Sequence, residues 1–397
     1  LEINKELHQK ATDYSMSAIK YICTELPPRE SGSQGERQAQ EYLKSEIIDN
    51  GWADSVTIEE FPVAPKAFMG FSKILPILIL IGIIFYAFGV VWAPLIMCVI
   101  SLVIFIAEFG LYKQFLDPLF KTATSSNLIA VKNPQKTAKK RIIFSGHSDA
   151  AYEWTIFNKF GKGMFIGGLA LAIIGVLLIM ALSIASIAIG YKLWMLIVML
   201  CCLPGFVALF FFSNFKKVVQ GANDNLTGTL AAISVLKYLK EAGIEYEDTE
   251  VMALITGSEE AGLRGAKAFA AAHKEQCEEI PTMFIGLETF RDLPHMTNYV
   301  RDLSGTVKHH PEAIALIDEA AEKVFGKPLP HGSVFLGASD SAAMSQAGIK
   351  AGAIAAMDPA PAAYYHTRKD NCDNLDPECF SKGLELTLTV LGLYAKK

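Results

Sequence analysis

The sequence predicts an α/β protein: a mostly parallel, mixed sheet covered by helices, combined with a four-helix transmembrane region. Three observations carry this. Short apolar runs alternate with stretches of helical periodicity, the pattern of a sheet with helices on both faces. Two apolar blocks, about 69–112 and 163–215, hold the hydrophobic excess of a chain that is 51% hydrophobic. Polar clusters follow several apolar runs, where α/β sheets gather their sites.

The elements read as follows. Residues 1–24 have helical character. The loop from Pro27 to Glu36 comes next, with Ser33 as the expected N-cap of a helix and Glu36 as the far half of a capping box. That helix carries Ala39, Tyr42, Leu43, Ile47 and Ile48 at helical spacing. Residues 54–61 alternate like a strand. Segments 126–131, 141–145, 250–256, 282–287 and 350–356 read as further strands, and 141–145 is a continuous apolar run suited to a buried position. Helices are expected over 227–242, 260–274 and 376–396.

From Ile74 to Ala107 no residue is charged, a run of 34. As one helix it would be about 51 Å long, well beyond the roughly 30 Å hydrocarbon core of a bilayer. Trp92-Ala93-Pro94 interrupts it, so the block reads as a hairpin of 69–92 and 94–112. The second block divides at Tyr191-Lys192 into another hairpin. Buried core helices are the alternative, but apolar runs beyond about 18 residues favour the membrane. The expected organisation is therefore 1–68, 113–162 and 216–397 as one soluble domain, with transmembrane hairpins at 69–112 and 163–215.

Because one domain continues on each side of both hairpins, each must cross an even number of times. Lys66, Lys73, Lys113, Lys121, Lys159, Lys162, Lys216 and Lys217 flank the domain side, and Lys192 alone lies opposite. Positive-inside bias thus predicts a multi-pass membrane protein with a cytoplasmic catalytic domain. The net charge of -5 and the lack of a basic stripe exclude a nucleic-acid partner. Seven cysteines, without a C-x-x-C pair and with Cys98, Cys201 and Cys202 inside the apolar blocks, do not form a disulfide framework. The opening Leu1-Glu2-Ile3-Asn4 lacks signal-peptide character.

The chemistry concentrates in five places. His147 and Asp149 follow run 141–145, where a neutral imidazole is a good zinc ligand and a nearby carboxylate can fix its tautomer. Asp224, in Gly221-Ala222-Asn223-Asp224-Asn225, can bridge two cations. Glu259 and Glu260 follow run 250–256; one can bind metal while the other takes a proton from water. Glu288 ends run 282–287, and His366 lies in Tyr364-Tyr365-His366-Thr367. Alone, the first three have ordinary alternatives: a surface turn, a helix cap, an acidic helix start. Together they supply nitrogen and oxygen ligands without thiolate, which suits a catalytic zinc pair better than a structural site.

With these residues in place, the chain resembles metallopeptidase family 28, which includes zinc aminopeptidases, glutamate carboxypeptidases and glutaminyl cyclases. The resemblance covers nearly everything outside the apolar blocks. It begins at Arg29 to Glu36, passes through Ser126-Asn127-Leu128-Ile129-Ala130 and the clusters above, and continues in Ala338-Ser339-Asp340-Ser341 and His366-Thr367-x-x-Asp370. The resemblance implies a zinc-exopeptidase fold and two co-catalytic Zn²⁺. His147 and Glu288 would bind the first, Glu260 and His366 the second, and Asp224 both, with a cis peptide after it. It further implies Glu259 as general base, Asp149 as the group orienting His147, and Tyr365 as an oxyanion donor. The sequence departs from the family at Glu288, where Asp is usual, at Asn223 and Ser341, which replace a common Asp and His, and in the apolar block between His147 and Asp224.

The implied activity is a membrane-anchored metallo-exopeptidase, most simply an aminopeptidase, with a peptide substrate and the lipid bilayer as partners. Three rivals stay open: an amidohydrolase of N-acyl amino acids or other lipophilic amides, an acyltransferase of the glutaminyl cyclase type, and a silent membrane scaffold. The second hairpin is inserted between His147 and Asp224, so substrates arriving from the membrane are a further expectation.

Overall fold

In the computed structural model, residues 2–334 and 337–397 are described; Leu1, at the head of the first expected helix, lies outside them. The strands are β1 (Ser55–Val63), β2 (Ala123–Lys132), β3 (Lys140–His147), β4 (Tyr152–Trp154), β5 (Ser213–Val218), β6 (Thr249–Thr256), β7 (Thr282–Phe290), β8 (Met296–Asp302), β9 (Val307–Lys308), β10 (His331–Ser333) and β11 (Lys350–Ala356). The helices are α1 (Lys5–Glu25), α2 (Gln34–Asp49), α3 (Phe71–Ala87), α4 (Ala93–Phe105), α5 (Thr155–Ile189), α6 (Leu193–Cys201), α7 (Leu203–Phe210), α8 (Gly228–Glu241), α9 (Arg264–Glu279), α10 (Pro311–Phe325), α11 (Asp340–Gln346) and α12 (Pro377–Lys396). They fall into two units. One comprises 1–65, 122–151 and 218–397, the other 66–121 and 152–217.

The first unit is built on a mixed sheet of order β1-β2-β6-β3-β7-β11-β8-β10, with β9 beside β8. Its centre is parallel: β3 pairs in parallel with β6 and β7, and β7 with β11. β1 and β2 run antiparallel to their neighbours toward one edge, while β8 runs antiparallel to β11 and β9 and parallel to β10 at the other. The central strands are sealed on both faces, which is why β3 is buried from Arg141 through His147. One face packs α1, α8, α10 and α12 through Ile19, Leu230, Leu236, Ile317 and Leu388 against Phe144, Ile285 and Ile354. α9 and α11 contact each other and strands of the same sheet.

Two expected elements shift. The helix predicted over 260–274 begins at Arg264, because Gly262 and Leu263 take positive φ values of 100° and 60° and hold the preceding acidic pair in a turn. Ser33 does cap α2, accepting from Glu36 N at 3.3 Å. The carboxylate of Glu36, however, accepts from Gly32 N and from two distant groups rather than closing a capping box on Ser33.

The second unit contains four helices long and apolar enough to cross a membrane: 68–87, 93–110, 155–189 and 193–210. It takes in 66–68, 113–121, 152–162 and 216–217, which hydropathy had placed with the soluble part. Gly161, at φ 74°, breaks α5 near its start, and a proline opens α7. Ile79, Ile83, Ile179, Met199 and Phe206 pack inward, and the Tyr86 hydroxyl shares a 2.7 Å hydrogen bond with Ser186. Leu177, Leu193, Trp194 and Phe211 are more than half exposed. Helices apolar on every side need an apolar surrounding.

Both excursions start and end at paired positions of the first unit. Val63, closing β1, is the register partner of Ala123, opening β2. Val219 N donates to Ala151 O at 3.0 Å.

Gly146 in β3 lies against the start of α8, where an added Cβ would be 2.3 Å from Thr229 N and 2.5 Å from Gly228 C. Both are backbone atoms, so neither yields as a side chain would. Gly146→Ala is expected to destabilise the protein by about 1–3 kcal/mol, read as a lower melting temperature of the purified protein.

Candidate metal centre

The ends of the central strands and the loops beyond them carry the candidate ligands. β3 ends at His147, and β6 runs out into Gly257-Ser258-Glu259-Glu260. Glu288 lies in β7, Asp224 in the turn before α8, and His366 in the loop after β11. The fold brings all five together. His147, Asp224 and Glu288 offer donor atoms within 4.8 Å of one another, as do Asp224, Glu260 and His366, and as do His147, Glu259 and Glu260.

Asp224 is the hub. Its Oδ1 lies 3.3 Å from His147 Nε2 and its Oδ2 3.2 Å from His366 Nε2. His366 Nε2 is also 3.2 Å from Glu260 Oε1. One carboxylate thus faces two imidazoles, one per oxygen, the arrangement of a bridge between two cations. His147 Nδ1 faces the Asp149 carbonyl at 3.2 Å and its carboxylate at 3.4 Å. Those acceptors place the proton on Nδ1 and turn the Nε2 lone pair toward Asp224. A lone pair facing a carboxylate needs a cation between them, and the residues fit one.

The protonation equilibria agree. Burial alone would lower His147, yet Glu259, Asp149 and Asp224 hold it well above the usual range. Burial is likewise outweighed at His366, which Glu260 and Asp224 push up to about 10. Burial raises Glu259, Glu260 and Glu288, and neighbouring carboxylates add to the rise. A site that draws in protons from both residue types is short of positive charge.

The supporting groups are specific. The Asp149 carboxylate accepts from Glu259 N at 3.0 Å, Glu260 N at 3.1 Å and Ser31 Oγ at 2.7 Å, so it sets both glutamates as well as His147. Glu36 accepts from Ser258 N at 2.6 Å and Ser125 Oγ at 2.8 Å, and burial, with the charge of Asp149, pushes it up to about 8. Arg29 donates to Ser148 O and Gly221 O, pinning two ligand loops. Asp370 accepts from Asn223 N, Asn223 Nδ2 and Asp224 N at 2.7, 2.9 and 3.1 Å. Asn225 Nδ2 donates to Glu288 Oε2 at 2.9 Å and to Leu287 O at 2.8 Å, which aims the longer glutamate arm into the site. The Asp224–Asn225 peptide is cis. Ser258, Thr289 and His366 hold φ values of 54°, 48° and 51°, each at or beside a candidate ligand or base. Non-glycine residues in that region are strained and cluster at functional sites.

Tyr365 stacks on the His366 ring, with centroids 3.9 Å apart. No sequence signal singles out Asn225 or assigns a role to Asp340, which is buried and accepts from Thr256 Oγ1 at 2.5 Å. A cavity of about 540 Å³ borders Arg291, Asp292, Tyr364 and Lys369, and none of the five candidate ligands lines it.

With this geometry in place, comparison is informative. The model of peptidase family M28 matches residues 208–391. That stretch is similar to the M28 peptidases. It contains Asp224, Glu259, Glu260, Glu288 and His366, while His147 precedes it. No curated protein matches the sequence significantly. Among solved structures, the chain is similar to an aminopeptidase from Aneurinibacillus sp. strain AM-1, at 15% identity and a TM-score of 0.58, covering 97% of this chain and 94% of that one. It is similar to a zinc aminopeptidase from Bacillus subtilis, at 14% identity and 0.59, covering 96% and 95%. A glutaminyl cyclase from Fimbriiglobus ruber scores 0.57 at 15% identity, covering 96% and 94%. The fold, a mixed sheet flanked by helices, is thus shared by solved structures with two different activities.

Asp370 touches no candidate ligand side chain but holds the backbone on both sides of the Ala222-Asn223-Asp224 turn. Asp370→Asn keeps the size and loses the acceptor charge. It should weaken zinc affinity about 10–100-fold, measured by chelator competition, with the wild-type value as the contrary result.

Proposed function

We propose that this protein is a membrane-anchored, di-zinc metallo-exopeptidase of the aminopeptidase type. The observation that carries the reading is the single carboxylate of Asp224 facing His147 with one oxygen and His366 with the other. Glu288 completes one ligand group and Glu260 the other. Bound zinc would acidify a water and offset charge on the carbonyl oxygen of the scissile bond.

Glu259 takes the proton of the attacking water and delivers it to the departing amine. Its affinity for a proton is already raised by burial and by Glu260, Asp340 and Glu288, against the opposing pull of His147, which suits a group that must both accept and release. Asp149 keeps the His147 proton on Nδ1. Tyr365, beside His366, donates to the oxygen that gains charge.

Four apolar helices and the lysine distribution support a multi-pass protein whose catalytic domain is cytoplasmic. Limited proteolysis should cut that domain in inverted vesicles and spare it in intact cells. The opposite pattern would overturn the assignment.

Two substitutions separate base from ligand. Glu259→Gln should lower kcat by roughly 10²–10⁴-fold and leave two zinc ions per chain. Glu260→Gln should lose one of them. Equal zinc loss in both variants would reverse the roles, and a single zinc in the wild type would favour the cyclase-type rival. Preference for acyl-amide over aminoacyl substrates would favour the amidohydrolase.

A further inference from the structure

One side chain near the metal centre has no part in the scheme above. Tyr299 lies in β8, two strands from β7. In the sheet register Tyr299 pairs with Ala353 of β11, and Ala353 pairs with Gly286 of β7. One step on, Thr297, Ala355 and Glu288 form the next row. Cross-strand partners share a face, and side chains alternate with period two. Tyr299 therefore stands on the face of the sheet that carries Glu288. The sheet residues between them are Gly286, Ala353 and Ala355, none longer than a methyl group, and Ser341 of α11 covers Gly286.

Strand spacing and rise put the Tyr299 and Glu288 backbones about 12 Å apart along this diagonal. Side chains on one face stand roughly perpendicular to the sheet, so the tyrosine and the glutamate rise side by side across that gap. The Tyr299 ring is backed by Gly332, where an added Cβ would come within 3.2 Å of it. The residue is half-buried. Its environment is acidic: burial first, then the charges of Glu288, Asp302 and Asp224, hold its phenol well above the ordinary range. The hydroxyl keeps its proton at any physiological pH. That proton goes to no described residue, although a phenol taken partly out of water ordinarily finds an acceptor.

We propose that the Tyr299 phenol is a second hydrogen-bond donor to the substrate oxygen that gains charge during hydrolysis, acting from the Glu288 side of the centre. The inference rests on the hydrolase reading given above. The two donors differ in their mounting. Tyr365 sits on a loop and stacks on a candidate ligand, whereas Tyr299 rises from a strand. A neutral donor suits this position, since it leaves the charge balance of the cluster unchanged. A donor mounted on a strand needs little reorganisation as the charge develops.

The test is Tyr299→Phe in the full-length, zinc-loaded protein, which keeps the ring on Gly332 and removes only the hydroxyl. We expect kcat/KM for aminoacyl substrates to fall about 10²-fold, mainly through kcat. Zinc content and melting temperature should stay at wild-type values. A phosphinic dipeptide, which mimics the tetrahedral species, should bind at least about tenfold more weakly by calorimetry. An active wild type whose Tyr299→Phe variant retains kcat/KM and phosphinic affinity within about threefold overturns this inference alone. So does an activity loss that merely tracks lost zinc or lowered melting temperature. A zinc-loaded wild type that hydrolyses neither peptides nor acyl-amides overturns the hydrolase reading and this inference with it.

Discussion

The arrangement depends on one constraint: several carboxylates are buried around Asp224, and they must be neutralised where they stand. Taking a carboxylate out of water costs several kcal/mol unless positive charge or hydrogen bonds replace the solvent. Glu259, Glu260 and Glu288 meet that cost badly on their own, which is why burial raises all three. Two histidines offset part of it. Divalent metal would offset the rest, held among the candidate groups that meet at Asp224.

Much of the surrounding polar structure serves to hold this unfavourable cluster in shape. Arg29 ties the loop after β3 to the loop before Asp224. Asp370 fixes the turn that carries Asp224, and it is itself pushed up to about 7 by burial and by that neighbour's charge. Asp149 and Glu36 together accept three consecutive backbone N–H groups, those of Ser258, Glu259 and Glu260. Arg29, Asp149 and Asp370 sit in loops and Glu36 in the first turn of α2, and all four are buried ionisable side chains. An acidic centre braced by further acids is stable only when its hydrogen bonds are complete.

The candidate ligands stand out in the sequence because each combines a suitable residue type with a strand end or a distinctive loop. The continuous apolar run of β3 and the acidic pair after β6 are local signals. The braces are not local. Asn225 acts on Glu288 from 63 residues away, and Asp370 on Asn223 from 147. No spacing rule reports such contacts. β8 was missed because Met-Thr-Asn-Tyr-Val-Arg-Asp alternates poorly in hydropathy, and its Asn298 and Asp302 are buried as hydrogen-bonding groups. The late start of α9 was hidden by Leu263, whose positive φ no propensity for leucine would suggest. The M28 resemblance named the ligands and Glu259, but not what keeps them in place.

The paired ends of the two excursions have a consequence for how the gene product can be remodelled. Val63 meets Ala123 in the sheet, and Val219 bonds to Ala151, so each long detour leaves from and returns to a closed gap. Chain length between such points contributes only logarithmically to closure entropy. The fold that assembles His147 and Asp224 is therefore nearly indifferent to what is strung between them. Each gap is a splice point where a hydrophobic cassette can be lengthened, exchanged or reduced to a short turn while the register of the sheet stays the same.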